Sequence, residues 1–505
     1  MSTEARVSHN VIANFAGRLW TAGMALAFVP VYIRLLGPEK YGLVGFFVSL
    51  QMILSLLEMG LGTTATKELA RLSSSTDHRT AQQMRNLVRT LELLYFGLAI
   101  LAATIVLVSS KPLAAHWFNP DALSRKEIQY VIVVMGLVIA ARMPFALYSG
   151  ALIGLQRQVT LNVILVITVT VKNLGAVAAL LVISKDVLVF FLWNLIAELV
   201  QTALTCYVLQ KKLPKSSEKA RFQLEQIKNI WRFAAGMTGV VITNVALSQA
   251  DKLFVSKMFS LETFGYYSAM WTIAGGIFFL TYPITTAAFP RYAQLWETHD
   301  KEEFASFYHK TCRLLATIML PVGICVLFFS REVLAIWLGA PDQAEALENV
   351  LRILVMGTIL NSLFNLPMNL QFATGRTSLV FYTNFSWLIC FPLAMWWLTS
   401  LTGLSGAPIA WLIYNLFGFT FVAYMAHKTL LREALFQWYV KDIGIPLVVG
   451  GTIIGGLFLM LPMPTGTVGQ CLVLGTCATM GAAGSLLTLK SVRSRLAQKL
   501  SVWIT

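Results

Sequence analysis

Residues 377–427 contain no Asp, Glu, Lys or Arg, and neither do residues 443–489 or 264–290. A helix needs about 20 apolar residues to cross a bilayer. The first two runs therefore hold two crossings each and the third holds one. Across the whole chain 57% of residues are hydrophobic and 12% are charged, where a soluble domain carries about 25% charged residues. This excludes a soluble enzyme, a nucleic-acid-binding domain, a disordered regulator and a disulfide-stapled secreted domain. The expected fold is an all-α polytopic membrane protein.

Hydropathy places fourteen spans near 11–36, 41–66, 90–110, 128–155, 159–184, 187–210, 230–258, 264–290, 311–330, 348–373, 377–399, 406–427, 443–461 and 469–489. On a soluble chain a net charge of +15 would point to nucleic acid; here its placement gives topology. Lys67, Arg71, Arg79, Arg85 and Arg89 follow span two, Lys211 to Arg232 separate spans six and seven, and Lys490 to Lys499 form the tail. Short basic loops stay cytoplasmic, so both termini are expected inside. The first span carries Arg18 and is too long for a signal h-region, so it reads as a retained helix. The six cysteines lie in or beside apolar spans without a CxxC and read as small hydrophobes. No catalytic, metal or cofactor site is expected. No GxxxxGK[ST] occurs, and the extramembrane segments are too short for an ATP-binding domain or for the external catalytic loop of a membrane polymerase. The six histidines lie near span ends and read as interfacial or loop residues.

The chain repeats itself. YIRLLGPEKYGLVGFF from Tyr32 aligns with VSKMFSLETFGYYSAM from Val255 at a shift of 223, matching Glu39 to Glu262, Tyr41 to Phe264 and Gly42 to Gly265. GTTATKELARL from Gly62 falls on TTAAFPRYAQL in the same frame, and a weaker echo pairs Arg157 with Arg376 four residues out of it. Parallel repeats in transporters are related by an axis along the membrane normal, with the binding site at the midplane. The expected organisation is a six-helix bundle over 1–210, a cytoplasmic linker over 211–229, a second six-helix bundle over 230–432, and an appended two-helix hairpin with a basic tail over 433–505.

The turn YIRLLGPEKYG, the segment MGLGTTATKELAR and QADKLFVSKMF in span seven resemble polysaccharide (Wzx-type) flippases, in the superfamily that also holds lipid II flippases and MATE-type drug antiporters. The resemblance covers about residues 10–432. It implies alternating-access translocation of a polyprenyl-pyrophosphate-linked oligosaccharide across the bacterial inner membrane, with the bilayer, a counter-ion (proton or sodium) and a polysaccharide polymerase as candidate partners and no nucleic acid. A lipid II flippase or an ion-coupled drug exporter of the same superfamily, or a membrane polymerase, is the alternative.

Charges inside spans are costly and usually face a cavity. Asn14, Arg18 and Thr21 share one face of span one, and Gln51, Ser55 and Glu58 one face of span two. Arg142, Lys172 and Glu198 sit within spans four, five and six; Asn244, Ser248 and Asp251 share a face of span seven beside Lys252; Asn361, Asn365 and Asn369 form an amide ladder on span ten. A pyrophosphate needs cations, so Arg18, Arg142 and Lys172 are the candidate headgroup contacts, with Asn14, Asn361 and Asn365 as candidate polar contacts. Glu58, Glu198 and Asp251 are the candidate ion-coupling acids. The competing reading pairs Glu58 with Arg18 and Glu198 with Lys172 as structural salt bridges. Trp387, Trp396, Trp397 and Trp411 are candidates for sugar stacking, against the aromatic belt of a membrane interface.

Overall fold

The computed structural model describes residues 3–489 except 59, 74–76, 217, 433 and 465; of these, the side chains of 3–15, 78, 224–238 and 240 are not described. Asn14, His9, His78 and the basic tail from Lys490 therefore lie outside the described side chains. Contacts divide the chain into two compact units, Met1–Ala269 and Met270–Thr505. The first holds α1 (Thr3–Leu36), α2 (Pro38–Leu54), α3 (Leu61–Leu72), α4 (His78–His116), α5 (Arg125–Gly154), α6 (Gln158–Val182), α7 (Val187–Lys212), α8 (Leu224–Met258) and most of α9 (Leu261–Gly275). The second holds α10 (Phe278–Glu297), α11 (Lys301–Phe328), α12 (Ser330–Leu338), α13 (Pro341–Ala373), α14 (Ser378–Thr402), α15 (Gly406–Phe417), α16 (Ala423–Leu430), α17 (Ala434–Gln437), α18 (Ile445–Met460) and α19 (Thr467–Leu486). Among the described residues ten helical stretches are long and apolar enough to cross a bilayer, and the bent pair α9–α10, angled at 44°, makes an eleventh. One of the ten, Ser378–Leu430, doubles back at Gly403 (φ 61°), so that Trp387 on α14 meets Tyr414 and Phe417 across the hairpin.

The helix ends follow local chemistry. Gly37 takes φ 82° between α1 and α2, a region that favours glycine, and Pro38 follows at the first helical turn. Ser124 and Glu127 form a capping box on α5, and Asp186 and Asp300 cap α7 and α11 by accepting from backbone N–H groups. Span two is not the continuous helix expected over 41–66. It breaks into a 3₁₀ turn at Ser55–Glu58, and α3 restarts after Gly60 at φ 73°. Span eight breaks likewise between Gly275 and Phe278.

Two pairs of helix starts keep the frame seen in the sequence, and others drift from it by a few residues. Helices α2 and α9 begin 223 residues apart, as do α4 and α11; α6 and α14 begin 220 apart, and α7 and α15 219 apart. Two glycines in this frame make reciprocal contacts within the first unit. A Cβ added at Gly42 would collide with the Leu261 carbonyl, and one added at Gly265 with the Pro38 carbonyl. Pro38 and Leu261 are themselves 223 apart. Such close backbone approach is how transmembrane helices associate when burial against water is not available as a driving force.

In the second unit α18 and α19 dock on α11. Gly450 and Gly481 lie against Pro321, and Cys325 Sγ donates to the Leu474 carbonyl at 3.6 Å. Asp442, fully buried in a π-helical stretch at Trp438–Gly444, accepts from Arg313 at 2.9 Å and contacts His309 Nδ1. His427 is buried too, bonded to the Tyr308 hydroxyl at 3.1 Å and the Ala423 carbonyl at 2.7 Å. His309 and His427 are thus interior groups rather than interfacial ones, because polar partners on neighbouring helices draw them inward.

Candidate functional site

Three intramembrane charges of the first unit, Arg142, Lys172 and Glu198, meet where α5, α6 and α7 come together. Gly175 allows this. A Cβ there would run into the Trp193 indole, whose Nε1 donates to the Lys172 carbonyl at 2.9 Å. With α6 and α7 drawn together, Lys172 Nζ reaches Glu198 Oε1 at 2.6 Å, and one turn along Thr168 donates to Gln201 at 3.0 Å. Thr202 donates to the Ala141 carbonyl at 2.8 Å and ties α7 to α5, leaving Arg142 Nη1 3.7 Å from the same Glu198 oxygen. Gln51, its amide oxygen turned toward Arg142, accepts from Nε and Nη1 at 3.2 Å.

One carboxylate therefore serves two cations. The Glu198 side chain is 2% exposed, that of Lys172 22% and that of Arg142 47%. Glu198 Oε2 is buried with no hydrogen-bond partner among the described residues. Glu58, at the 3₁₀ break, lies within electrostatic reach of Arg142 and makes no ion pair among the described residues. Arg18 is exposed on α1 and has no acidic partner among the described residues. Of the two structural salt bridges considered from sequence, Lys172–Glu198 forms and Arg18–Glu58 does not. With Arg18, Arg142 and Lys172 set against Glu58 and Glu198, cations exceed acids by one.

The cations stand at two depths. Gly17 abuts Asn162 at one level of the α1–α6 seam, and higher up Tyr32 donates to Asn173 Oδ1 at 2.9 Å. Lys172 is ten residues beyond Asn162, a rise of about 15 Å. Arg18 thus sits about 15 Å from the Lys172 level along the seam.

The remaining candidates lie elsewhere. Asp251 is fully buried and accepts from the Tyr267 hydroxyl at 2.7 Å and from Lys252 at 3.3 Å; Lys252 also donates to the Ser248 carbonyl. Asn361 and Asn365 belong to the second unit. Asn361 donates to Asn415 at 2.7 Å across α13 and α15, and Asn365 accepts from Asn369 at 2.9 Å. Trp396 and Trp397 are exposed on α14, whereas Trp411 is buried edge-on to Trp271. Trp193 and Gly175, which set the α6–α7 distance, carry no charge and so escape a reading based on charge. The His309–Arg313–Asp442 cluster had a legible half, since His309 and Arg313 are four apart on one helix face. Among the described residues no group of three or more His, Cys, Asp or Glu is placed to hold a metal ion.

Residues 7–296 match the family described as polysaccharide biosynthesis protein, and residues 237–396 match the MatE family. The chain is 22% identical to a putative O-antigen transporter of Shigella flexneri over 85% of its own length and 96% of that protein's. It is 22% identical to the succinoglycan biosynthesis transport protein ExoT of Rhizobium meliloti (strain 1021), over 63% of this chain and 59% of the other. Among solved structures, the lipid II flippase MurJ in an inward closed conformation superposes with a TM-score of 0.68 at 12% identity, covering 94% of this chain and 98% of that one.

Proposed function

We propose that this chain, which belongs to the polysaccharide biosynthesis protein family, is an inner-membrane flippase for a polyprenyl-pyrophosphate-linked oligosaccharide. The observation that carries the reading is the shared carboxylate: Lys172 and Arg142 both address Glu198, Glu58 lies within electrostatic reach of Arg142, and Arg18 brings the cations to one more than the acids. Charge-assisted hydrogen bonds of this kind contribute about 1.5 to 3 kcal/mol each. Arg18, on α1 with no acidic partner among the described residues and about 15 Å away along the α1–α6 seam, supplies a second contact point on the path of the headgroup. The relatives named for O-antigen and succinoglycan support the substrate class. A drug exporter moving organic cations calls for an acidic wall, and here the basic residues are in excess.

The proposed architecture has fourteen spans in two six-helix repeats plus a hairpin, with both termini in the cytoplasm. The ten apolar stretches, the bent pair, the second pass within Ser378–Leu430, α8 and α19 make up that count. The 223-residue frame of helix starts and the reciprocal Gly42 and Gly265 contacts support a twofold relation of the repeats. Asn361 and Asn365 enter the proposal as packing groups rather than sugar contacts, and Asp251 as a structural acid.

The test is reconstitution of the full chain in proteoliposomes loaded on one leaflet with polyprenyl-pyrophosphate-linked oligosaccharide, polyprenyl-pyrophosphate-linked muropeptide or a fluorescent organic cation. Movement of the first and not the others is expected. Transport of the cation, or of the muropeptide alone, would overturn the assignment.

A further inference from the structure

We propose that the second unit holds a binding site for the headgroup of an anionic phospholipid, separate from the translocation site. At the turn between α10 and α11 a cavity of about 710 Å³ opens against the end of α16 and the start of α17. That volume suits a ligand of moderate size. Its floor is apolar, formed by the buried Leu295, Phe304, Leu431 and Ala434. Its rim is cationic. Lys301 and Arg432 line it and are exposed. Arg376 reaches the same edge, its guanidinium 5.9 Å from the Trp296 ring and bonded to the Thr429 carbonyl at 3.4 Å. None of the three has an ion-pair partner among the described residues. The acid at the rim, Asp300, is engaged as the cap of α11, accepting from the Glu303 N–H at 2.9 Å.

Depth identifies the occupant. The charge-free run 264–290 ends five residues before Leu295, and the run 377–427 ends two residues before Thr429. At 1.5 Å per residue the cavity begins about 3 to 8 Å beyond the apolar boundary. The polar headgroup layer is about 5 to 7 Å thick on each side of the hydrocarbon. Cations without an ion-pair partner among the described residues, over an apolar floor at that level, fit a phosphodiester whose glycerol and upper acyl carbons rest on Leu295 and Phe304. A free phosphate would leave that floor exposed to water. The site does not depend on the flippase reading.

The test uses the full chain extracted from membranes, with native mass spectrometry reading the phospholipid retained. Wild type is expected to retain phosphatidylglycerol in preference to phosphatidylcholine, and inorganic phosphate is expected not to displace it. Each juxtamembrane cation changes affinity by roughly five-fold, so Lys301→Ala with Arg432→Ala should lower retention about twenty-five-fold. Lys211→Ala with Lys212→Ala, in a different basic loop, should leave it unchanged. Ala305→Trp, which fills the cavity without altering charge, should also abolish retention. Equal retention of the two lipids by wild type overturns the proposal. So does undiminished retention in the Lys301/Arg432 variant, displacement by inorganic phosphate, or displacement by polyprenyl pyrophosphate at lower concentration than by phosphatidylglycerol.

Discussion

Replacing Lys172 by alanine separates what this side chain does for the fold from what it does for transport. The substitution removes the partner 2.6 Å from a carboxylate that is 2% exposed and whose other oxygen already lacks a hydrogen bond. Breaking a buried pair from one side costs about 3 to 5 kcal/mol. Arg142 stands 3.7 Å from the same oxygen and can close on it. A hydrogen bond to a charged group returns about 1.5 to 3 kcal/mol, and Arg142, nearly half exposed, sits at the screened end of that range. The net loss is about 1.5 to 3.5 kcal/mol, enough to change abundance several-fold. Lys172→Ala should therefore accumulate at reduced level, and Lys172→Ala with Glu198→Ala should restore it, because no uncompensated carboxylate is left. Arg18→Ala, with no acid to strand, should accumulate normally. Immunoblots of the membrane fraction give abundance, and surface polysaccharide measured on the same cells gives transport. Export should fail in Arg18→Ala at normal abundance, and should stay low in the restored Lys172/Glu198 double variant. Wild-type abundance of Lys172→Ala, or no recovery on removing Glu198, would refute the energetic argument. Normal export in both Arg18→Ala and the double variant would refute the substrate role.

Three further outcomes are expected. Gly265→Ala places a methyl group on the Pro38 carbonyl, an overpacking worth about 1 to 3 kcal/mol, so detergent-purified protein should melt lower, and Gly23→Ala, which meets nothing within 4 Å, should not. Asp442→Ala leaves His309 and Arg313 without their buried acid and should destabilise by about 3 to 5 kcal/mol, read as a lower Tm and earlier proteolysis of the 433–489 segment; an unchanged Tm would remove the cluster's anchoring role. Reporter fusions in the 211–229 loop and after Thr505 should both report the cytoplasm, as the clustering of basic residues requires, and an external signal at either would break the even span count.

The fold was legible where one physical rule dominates. Charge-free runs give crossings because no other element satisfies backbone groups in hydrocarbon so simply. The close approach at Gly42 and Gly265 was legible because a side chain at either position collides with backbone, so the constraint shows in the residues themselves. The site was legible by half. Charge and depth flagged Arg142, Lys172 and Glu198, but which acid takes which cation depends on helix rotation, and that is set by the uncharged contact of Gly175 with Trp193. The asparagine ladder was legible as polar but not as to use, since an amide that contacts sugar and one that, like Asn361, joins α13 to α15 look the same in a sequence. Asp442 sits directly before a charge-free run and reads as its boundary; only the approach of α11, bringing His309 and Arg313, makes it an interior group.

The broken second spans connect these observations. The first break runs from Ser55 to Gly60 and the second lies between Gly275 and Phe278, so in the 223-residue frame the two interruptions adjoin, the second ending where the first begins. An interruption at membrane depth frees carbonyl and N–H groups, which persists only where protein or a wet cavity covers them. In the first unit the interruption carries Glu58, ends in the left-handed Gly60, and comes within electrostatic reach of Arg142. The bend between α9 and α10 carries Gly275 and Gly276 and no charge. The two breaks thus differ in their chemistry. On the proposed flippase reading, that asymmetry leaves the charged wall for a pyrophosphate in the first unit.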